Sequence, residues 1–293
     1  MNASWMAEGV RIALESLRAN KLRTFLTLLG NIVGVMSVIA VVSLLDGIDL
    51  YAREKVLEEG SGVFTIQRVN PLQFVTDVDA FIDSFYNPKL SLQDVAYLRD
   101  RVPSAVAVGA RLSAAAAVSR GDEQLQNITV RGYSVDYPLL EDLHLADGRH
   151  LATLDIRRSK SHCVLGWEIA EELFGPDVDP IGRRVRIAGR AFQVVGVFAE
   201  RGAVLGSSRD RFVAIPVTTW QKIFDPRQSV DIRIKAADVT RVEDAIDEAT
   251  VALRIRHRLR PSEDDDFAIV TSEILLGLWN NIEKYISLSL IHI

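Results

Sequence analysis

From position 24 to position 45 the chain reads TFLTLLGNIVGVMSVIAVVSLL with no charged residue, and beyond it short apolar runs alternate with polar turns. At 1.5 Å per residue the uncharged run makes a helix of roughly 33 Å, about the hydrocarbon thickness of a bilayer, so it is expected to span a membrane. A buried core helix rarely stays uncharged this long, and the apolar core of a cleaved signal peptide is shorter. Over 4–20, helical spacing places Met6, Val10, Ala13, Leu14 and Leu17 on one face, with Glu8, Arg11, Glu15 and Arg18 opposite. That pattern predicts a helix lying in the membrane interface or packed on another protein segment. Gly30 and Gly34 form a GxxxG where a second helix could approach closely, and Asn31 should face that contact because its amide needs a partner.

After position 45 the apolar spacing shortens. Residues 46–59 continue the helical pattern with added charge until Gly60-Ser61-Gly62 stops it. A strand is expected at 63–69, with only partly clean alternation, and 70–90 reads as an irregular loop, packed over the core or turned toward a partner. Ser91 with Asp94 reads as a capping box opening a helix to Arg101. Strands follow at 105–119 and 125–132 around the turn Arg120-Gly121-Asp122-Glu123, then a short helix at 134–143. The next expected elements are a strand at 162–165, a helix at 167–174, strands at 183–188 and 191–198 about a turn at Gly189-Arg190, and a strand at 212–216. A helix at 217–224, a strand at 229–235, a long helix at 238–258 and a strand at 267–271 complete an α+β pattern.

Charge orients the apolar run. Residues 1–45 carry Arg11, Arg18, Lys21 and Arg23 against Glu8 and Glu15, while Asp46 and Asp49 lie just past the run in a chain of net charge -5. The basic flank places the N-terminus in the cytoplasm and everything after 45 outside. Cys163 is the only cysteine, which excludes an intrachain disulfide, and its setting reads as a small apolar strand residue. The histidines, at 144, 150, 162, 257 and 292, show no HExxH spacing, and no metal site, cofactor site or catalytic residue is expected. A phosphate-cradling G-x-x-x-x-G-K-[ST] is absent, so nucleotide hydrolysis by that route is excluded. Glu263-Asp264-Asp265-Asp266 reads as a solvated turn, and Arg254, Arg256, Arg258 and Arg260 as a solvated helix end. An outside location removes nucleic acid from the expected partners.

Three stretches resemble the MacB/FtsX-like ABC transporter permease family with its MacB-like periplasmic core domain. Asn20-Lys21-Leu22-Arg23-Thr24-Phe25-Leu26-Thr27-Leu28-Leu29-Gly30 is similar to the family's entry into its first membrane helix. Val164-Leu165-Gly166, Leu173-Phe174-Gly175, Asp179-Pro180-Ile181-Gly182-Arg183 and Phe192-Gln193-Val194-Val195-Gly196-Val197 resemble the core domain's most specific motifs, with Arg183 where the family has lysine. Ile215-Pro216 with Thr218-Thr219 resembles its I-P-x-x-T segment.

The resemblance implies an α+β fold: an N-terminal transmembrane helix, then a two-part extracytoplasmic domain, a porter-like α/β part with an inserted mainly β part. The expected organisation is a cytoplasmic interfacial helix over 1–23, the membrane helix over 24–45 and a periplasmic core domain over 46–272 with the inserted part at about 140–226. Residues 273–293 should form a stalk and the start of a second membrane helix. The implied function is that of a non-catalytic permease subunit in the bacterial inner membrane, coupling ATP hydrolysis on a partner ATPase to export or extraction of a substrate. A second permease copy, the lipid bilayer and a periplasmic adaptor protein are the other implied partners. The last six residues, Leu288 to Ile293, are what CTG TCT CTT ATA CAC ATC encodes, the end of a widely used sequencing transposon. They are therefore expected to be adapter read-through on a truncated gene. The alternative is a membrane-anchored extracytoplasmic sensor or receptor, which residues after 287 would separate from a permease.

Overall fold

Helix α1, Lys21–Glu59, is a single run of 39 residues that takes in the whole uncharged segment 24–45. The computed structural model describes residues 11–12, 18–59, 62–70, 73, 77–175, 178–204 and 207–271, and within α1 it leaves out the side chains of 38, 41, 42 and 44–59. The expected interfacial helix over 4–20 lies mostly outside the described residues, and 273–293 lies wholly outside them. The chain divides into two units, Met1–Tyr51 with Asn280–Ile293, and Ala52–Trp279.

In the first unit the described apolar side chains of α1 are exposed, among them Phe25 at 60%, Ile32 at 53% and Met36 at 64%. Helical spacing gathers Thr27, Gly30, Asn31, Gly34 and Ser37 on the opposite half of the helix. The hydroxyls here bond back onto the helix: Thr27 Oγ1 donates to the Arg23 carbonyl at 2.9 Å and Ser37 Oγ to that of Gly34 at 2.8 Å. Such back-bonding leaves the polar groups satisfied without water. Among the described residues no helix is long and apolar enough to cross a membrane.

The second unit is built on one ten-stranded sheet. Its strands are β1 Val63–Gln67, β2 Ala105–Arg120, β3 Glu123–Tyr133, β4 Leu145–Gly148, β5 His162–Leu165, β6 Arg184–Ile187, β7 Arg190–Phe198, β10 Phe212–Pro216, β11 Asp231–Ala236 and β12 Ala268–Thr271, while β8 Ala203–Val204 and β9 Ser207–Ser208 form a separate hairpin. The order is β12-β1-β11-β2-β3-β10-β5-β7-β4, with β6 bridging β2 and β7. Most pairs are antiparallel; β3 with β10 and β5 with β7 are parallel. The long β2–β3 hairpin spans the assembly, because β2 pairs with β11 near its start and with β6 near its end.

Helices α2 Val78–Ser84, α3 Leu92–Arg99, α4 Tyr137–Leu140, α5 Thr153–Arg157, α6 Trp167–Phe174, α7 Val217–Ile223 and α8 Val242–His257 cover the sheet. The central strands are buried on both faces, so their side chains alternate between two cores. Cys163, Leu165, Val213, Ile215 and Val130 enter the larger core, with Trp220 and Leu253 from the helices. Val164, Phe212, Ala214 and Tyr133 enter a smaller one with Tyr137 and Leu140 of α4.

Most expected elements are present within a residue or two. Ser91 starts α3, its backbone N–H and its hydroxyl each donating to Asp94 Oδ2 at 2.7 Å. The hairpin turn lies one residue earlier than expected: Ile187 pairs with Arg190, and Ala188 and Gly189 take φ of 48° and 77°. Two successive positive φ values are what a two-residue hairpin turn demands. The loop expected over 70–90 contains α2, which Asp77 caps by accepting from the Ala80 N–H at 3.0 Å. Strand β4 and helix α5 were not expected from sequence; β4 is a short edge strand paired only with β7.

Candidate functional site

The densest polar arrangement lies under α4. The helix can press onto β2 because residue 109 is glycine; a Cβ there would stand 2.6 Å from Leu140 Cδ1 and 2.8 Å from Ser134 Oγ. Glu141 follows α4, and its side chain, 5% exposed, reaches three strands. Arg233 Nη1 of β11 donates to Glu141 Oε1 at 2.9 Å, and Arg111 Nη1 of β2 to the same atom at 3.2 Å. Tyr133 Oη of β3 donates to Oε2 at 3.0 Å, and Arg131 Nη1 does so at 3.4 Å. Tyr133 stacks on Tyr137 with ring centroids 3.8 Å apart, and the Arg131 guanidinium lies 4.2 Å from the Phe212 ring centre. Asp231 adds a second carboxylate 3.7 Å from Arg111 Nη2.

Burial, reinforced by the Glu141 charge, pushes the Tyr133 phenol well above its usual range, which keeps it a donor. Both oxygens of this carboxylate are engaged, each by two donors, so the cluster links α4 to the three strands. A buried ion pair gains little net stability over an apolar replacement, yet removing one partner is costly. The shared carboxylate ties the end of α4 to β2, β3 and β11.

A second node fixes α5. Asp155, 2% exposed, accepts from Arg149 Nη1 at 2.7 Å and from the Ala152 N–H at 3.0 Å, with His162 Nδ1 at 2.9 Å. Burial alone would raise its carboxyl; the Arg149 hydrogen bond, with the Ala152 N–H and the Arg149 and His162 charges, overcomes this and holds it below the usual range. Thr219 Oγ1 of α7 donates to the Lys160 carbonyl at 3.0 Å, and Thr218 Oγ1 to that of Ile156. The I-P-x-x-T motif thus ties α7 to the end of α5.

The V-L-G motif also acts through shape. Gly166 caps α6 directly against the chain entering β10, where a Cβ would lie 2.0 Å from the Asp210 carbonyl oxygen. In Asp179-Pro180-Ile181-Gly182 the aspartate Oδ1 accepts from the Ile181 N–H at 2.8 Å, closing an Asx turn.

The arginines of 254–260 and the acidic run 263–266 are not simply solvated as expected. Arg254 pairs with Asp265 and donates to the carbonyls of Arg260 and Glu263, Arg256 pairs with Asp94, and His257 Nδ1 lies 2.7 Å from Asp266 Oδ1. The two charged runs complement one another across the turn after α8, a relationship visible only once the chain doubles back. Cys163 is free and buried, and burial pushes its thiol well above the usual range. Among the described residues no group of three or more His, Cys, Asp or Glu side chains could hold a metal ion.

The second unit is a mixed α/β fold whose motif residues shape turns and close packing. Residues 24–252 match the MacB-like periplasmic core domain, and the chain belongs to that family of ABC transporter permeases. It is 30% identical over 271 residues to the macrolide export ATP-binding/permease protein MacB of Azoarcus sp. (strain BH72), covering 92% of this chain and 40% of that protein. It is 29% identical over 266 residues to the pyoverdine export ATP-binding/permease protein PvdT of Pseudomonas aeruginosa, covering 86% and 37%. The chain therefore spans about two fifths of the length of these relatives. The fold is similar to the periplasmic region of MacB from Actinobacillus actinomycetemcomitans, with TM-score 0.60 at 21% identity over 80% of this chain and 98% of that one. The extracellular domain of YknZ from Gram-positive bacteria gives TM-score 0.55 at 19% identity, covering 71% and 100%.

Proposed function

We propose that the chain is a permease subunit that crosses the bacterial inner membrane through 24–45, although no described helix is by itself long and apolar enough to span one, with its N-terminus cytoplasmic and the unit from β1 onward outside. The observation that carries the reading is the run of exposed aliphatic and aromatic side chains on α1 in a chain of this family. Exposing so many large apolar groups to water is costly, and lipid removes the cost. The Thr and Ser hydroxyls that bond back onto α1 suit the same setting, where water is absent.

In this reading the subunit does no chemistry itself. A partner ATPase hydrolyses ATP in the cytoplasm, and the motion reaches the outer unit through the membrane helices of a dimer formed with a second permease copy. The Glu141 node suits a part that must move as a block, since it joins α4 to β2, β3 and β11. The work done is export or extraction of a substrate, with a periplasmic adaptor as a further partner. The domain reading extends over 46–272, with 140–226 as the inserted part and 273–293 as a stalk toward a second span.

The test is co-purification in detergent with a tagged ATPase encoded beside the gene. A stable complex is expected. Recovery of the chain without the ATPase under conditions that preserve both proteins would count against the permease reading.

A further inference from the structure

Strand β4 closes one end of the sheet: it pairs with β7, and no described strand lies on its outer side. Ala146, Asp147 and Gly148 of this edge are exposed. Beside it is a cleft of 410 Å³, bounded by Ala146 and Asp147 of β4, Trp167 and Glu171 of α6, and Val178 and Asp179 of the following loop. That volume suits a side chain or small ligand.

The charges around the cleft have one sign. Asp147, Glu171 and Asp179 are exposed, and among the described residues none of them is in an ion pair. Asp147 Oδ1 accepts only from the neighbouring Gly148 N–H and Asp179 Oδ1 from that of Ile181, which leaves carboxylate oxygens available. Among the described residues no basic side chain lines the cleft; Arg183, close by, donates its Nε–H to the backbone carbonyl of Asp179. Trp167, half-buried, supplies an aromatic wall on which a cation can rest.

The geometry points to a docking site for an extended, basic segment of a protein partner, which pairs along the outer edge of β4 and places a lysine or arginine side chain in the cleft between Trp167 and the three carboxylates. An open strand edge recruits extended chain through main-chain hydrogen bonds, while the adjacent pocket selects the side chain. A free cation would use only the pocket, so the edge commits the site to a peptide. The inference stands apart from the permease reading, because it concerns binding at one end of the sheet and needs neither ATPase nor substrate.

The experiment measures fluorescence anisotropy of a labelled octapeptide alternating Lys and Thr, added to the full chain in a neutral detergent at low ionic strength. Its Glu/Thr counterpart and N-acetyl-lysine amide serve as comparisons. The Lys/Thr peptide should bind, the Glu/Thr peptide should not, and Asp147→Asn with Glu171→Gln should weaken binding by about tenfold or more. Trp167→Leu should weaken it as well. The substituted carboxylates are exposed and Trp167 is half-buried against the larger core, so unchanged thermal unfolding of each variant is required to confirm an intact fold. A control pair on α8, Glu243→Gln with Asp244→Asn, should leave binding within about twofold. Equal loss in the control, equal binding of the two peptides, or N-acetyl-lysine amide binding as tightly as the peptide each overturns the proposal.

Discussion

Arg233 and Glu141, 92 positions apart in the chain, meet at 2.9 Å with side chains 1% and 5% exposed. The contact joins a strand near the end of the second unit to the residue that follows α4, and Arg111 and Arg131 close around the same carboxylate. Replacing Glu141 by Ala leaves buried guanidinium groups without their shared counter-charge. That should destabilise the unit by about 3–5 kcal/mol, read from the denaturant midpoint. A loss below about 1 kcal/mol would mean that the pairing is not formed in solution.

Gly166→Ala should destabilise through collision alone, since its φ of -65° is one that alanine adopts freely. The Cβ would lie 2.0 Å from a backbone oxygen, which cannot swing aside as a side chain can. We expect a loss of about 2 kcal/mol or more in thermal or urea unfolding, in the upper part of the roughly 1–3 kcal/mol range for overpacking a core.

The acid limb of stability should depend on Asp94 and Asp155. Burial works against the charge of Asp94, but hydrogen bonds from Arg256 and Ser91 outweigh it and hold the carboxyl below its ordinary value of 3.8. Asp155 behaves in the same way. A carboxyl depressed in the folded state stabilises above its unfolded value and loses that contribution as pH falls through its folded value. Stability should therefore fall below about pH 4, and Asp155→Asn should be less stable than the parent at neutral pH but lose less on acidification. Parallel melting curves against pH for the variant and the parent would sink this account.

The Cys163 thiol, fully buried with its ionisation suppressed, should resist a water-soluble disulfide reagent until the unit unfolds. Stopped-flow labelling with and without denaturant reads this directly; rapid labelling of the native chain would contradict the burial.

Orientation in the membrane can be read in a Cys163→Ala background. Asp122→Cys, in the exposed β2–β3 turn, should react in whole cells with a membrane-impermeant maleimide that reaches the outer face of the inner membrane, whereas Asn20→Cys, before α1, should react only after lysis. The reverse pattern would invert the proposed topology.

What the sequence determined by itself was whatever depends on near neighbours. The uncharged run became one helix, the Ser91 and Asp94 spacing a helix start, and the apolar run 191–198 a strand. Periodicity and capping are local, so they survive in one dimension. Helix α2 also carried a local signal, Asp77 ahead of Val78, Phe81 and Ile82, hidden among prolines and aromatics that read as a loop.

The tertiary structure decided which charges are buried and with whom. Nothing near Glu141 in the chain marks it as the shared partner of three arginines, because those come from strands brought together only by the pairing of β11 with β2 and β2 with β3. Strand β4 was likewise invisible, since four residues of weak apolar pattern become a strand only when β7 offers its edge. The same holds for the cleft beside it: the carboxylates at 147, 171 and 179 gain a common field from folding alone, because charge acts through distance in space and not along the chain.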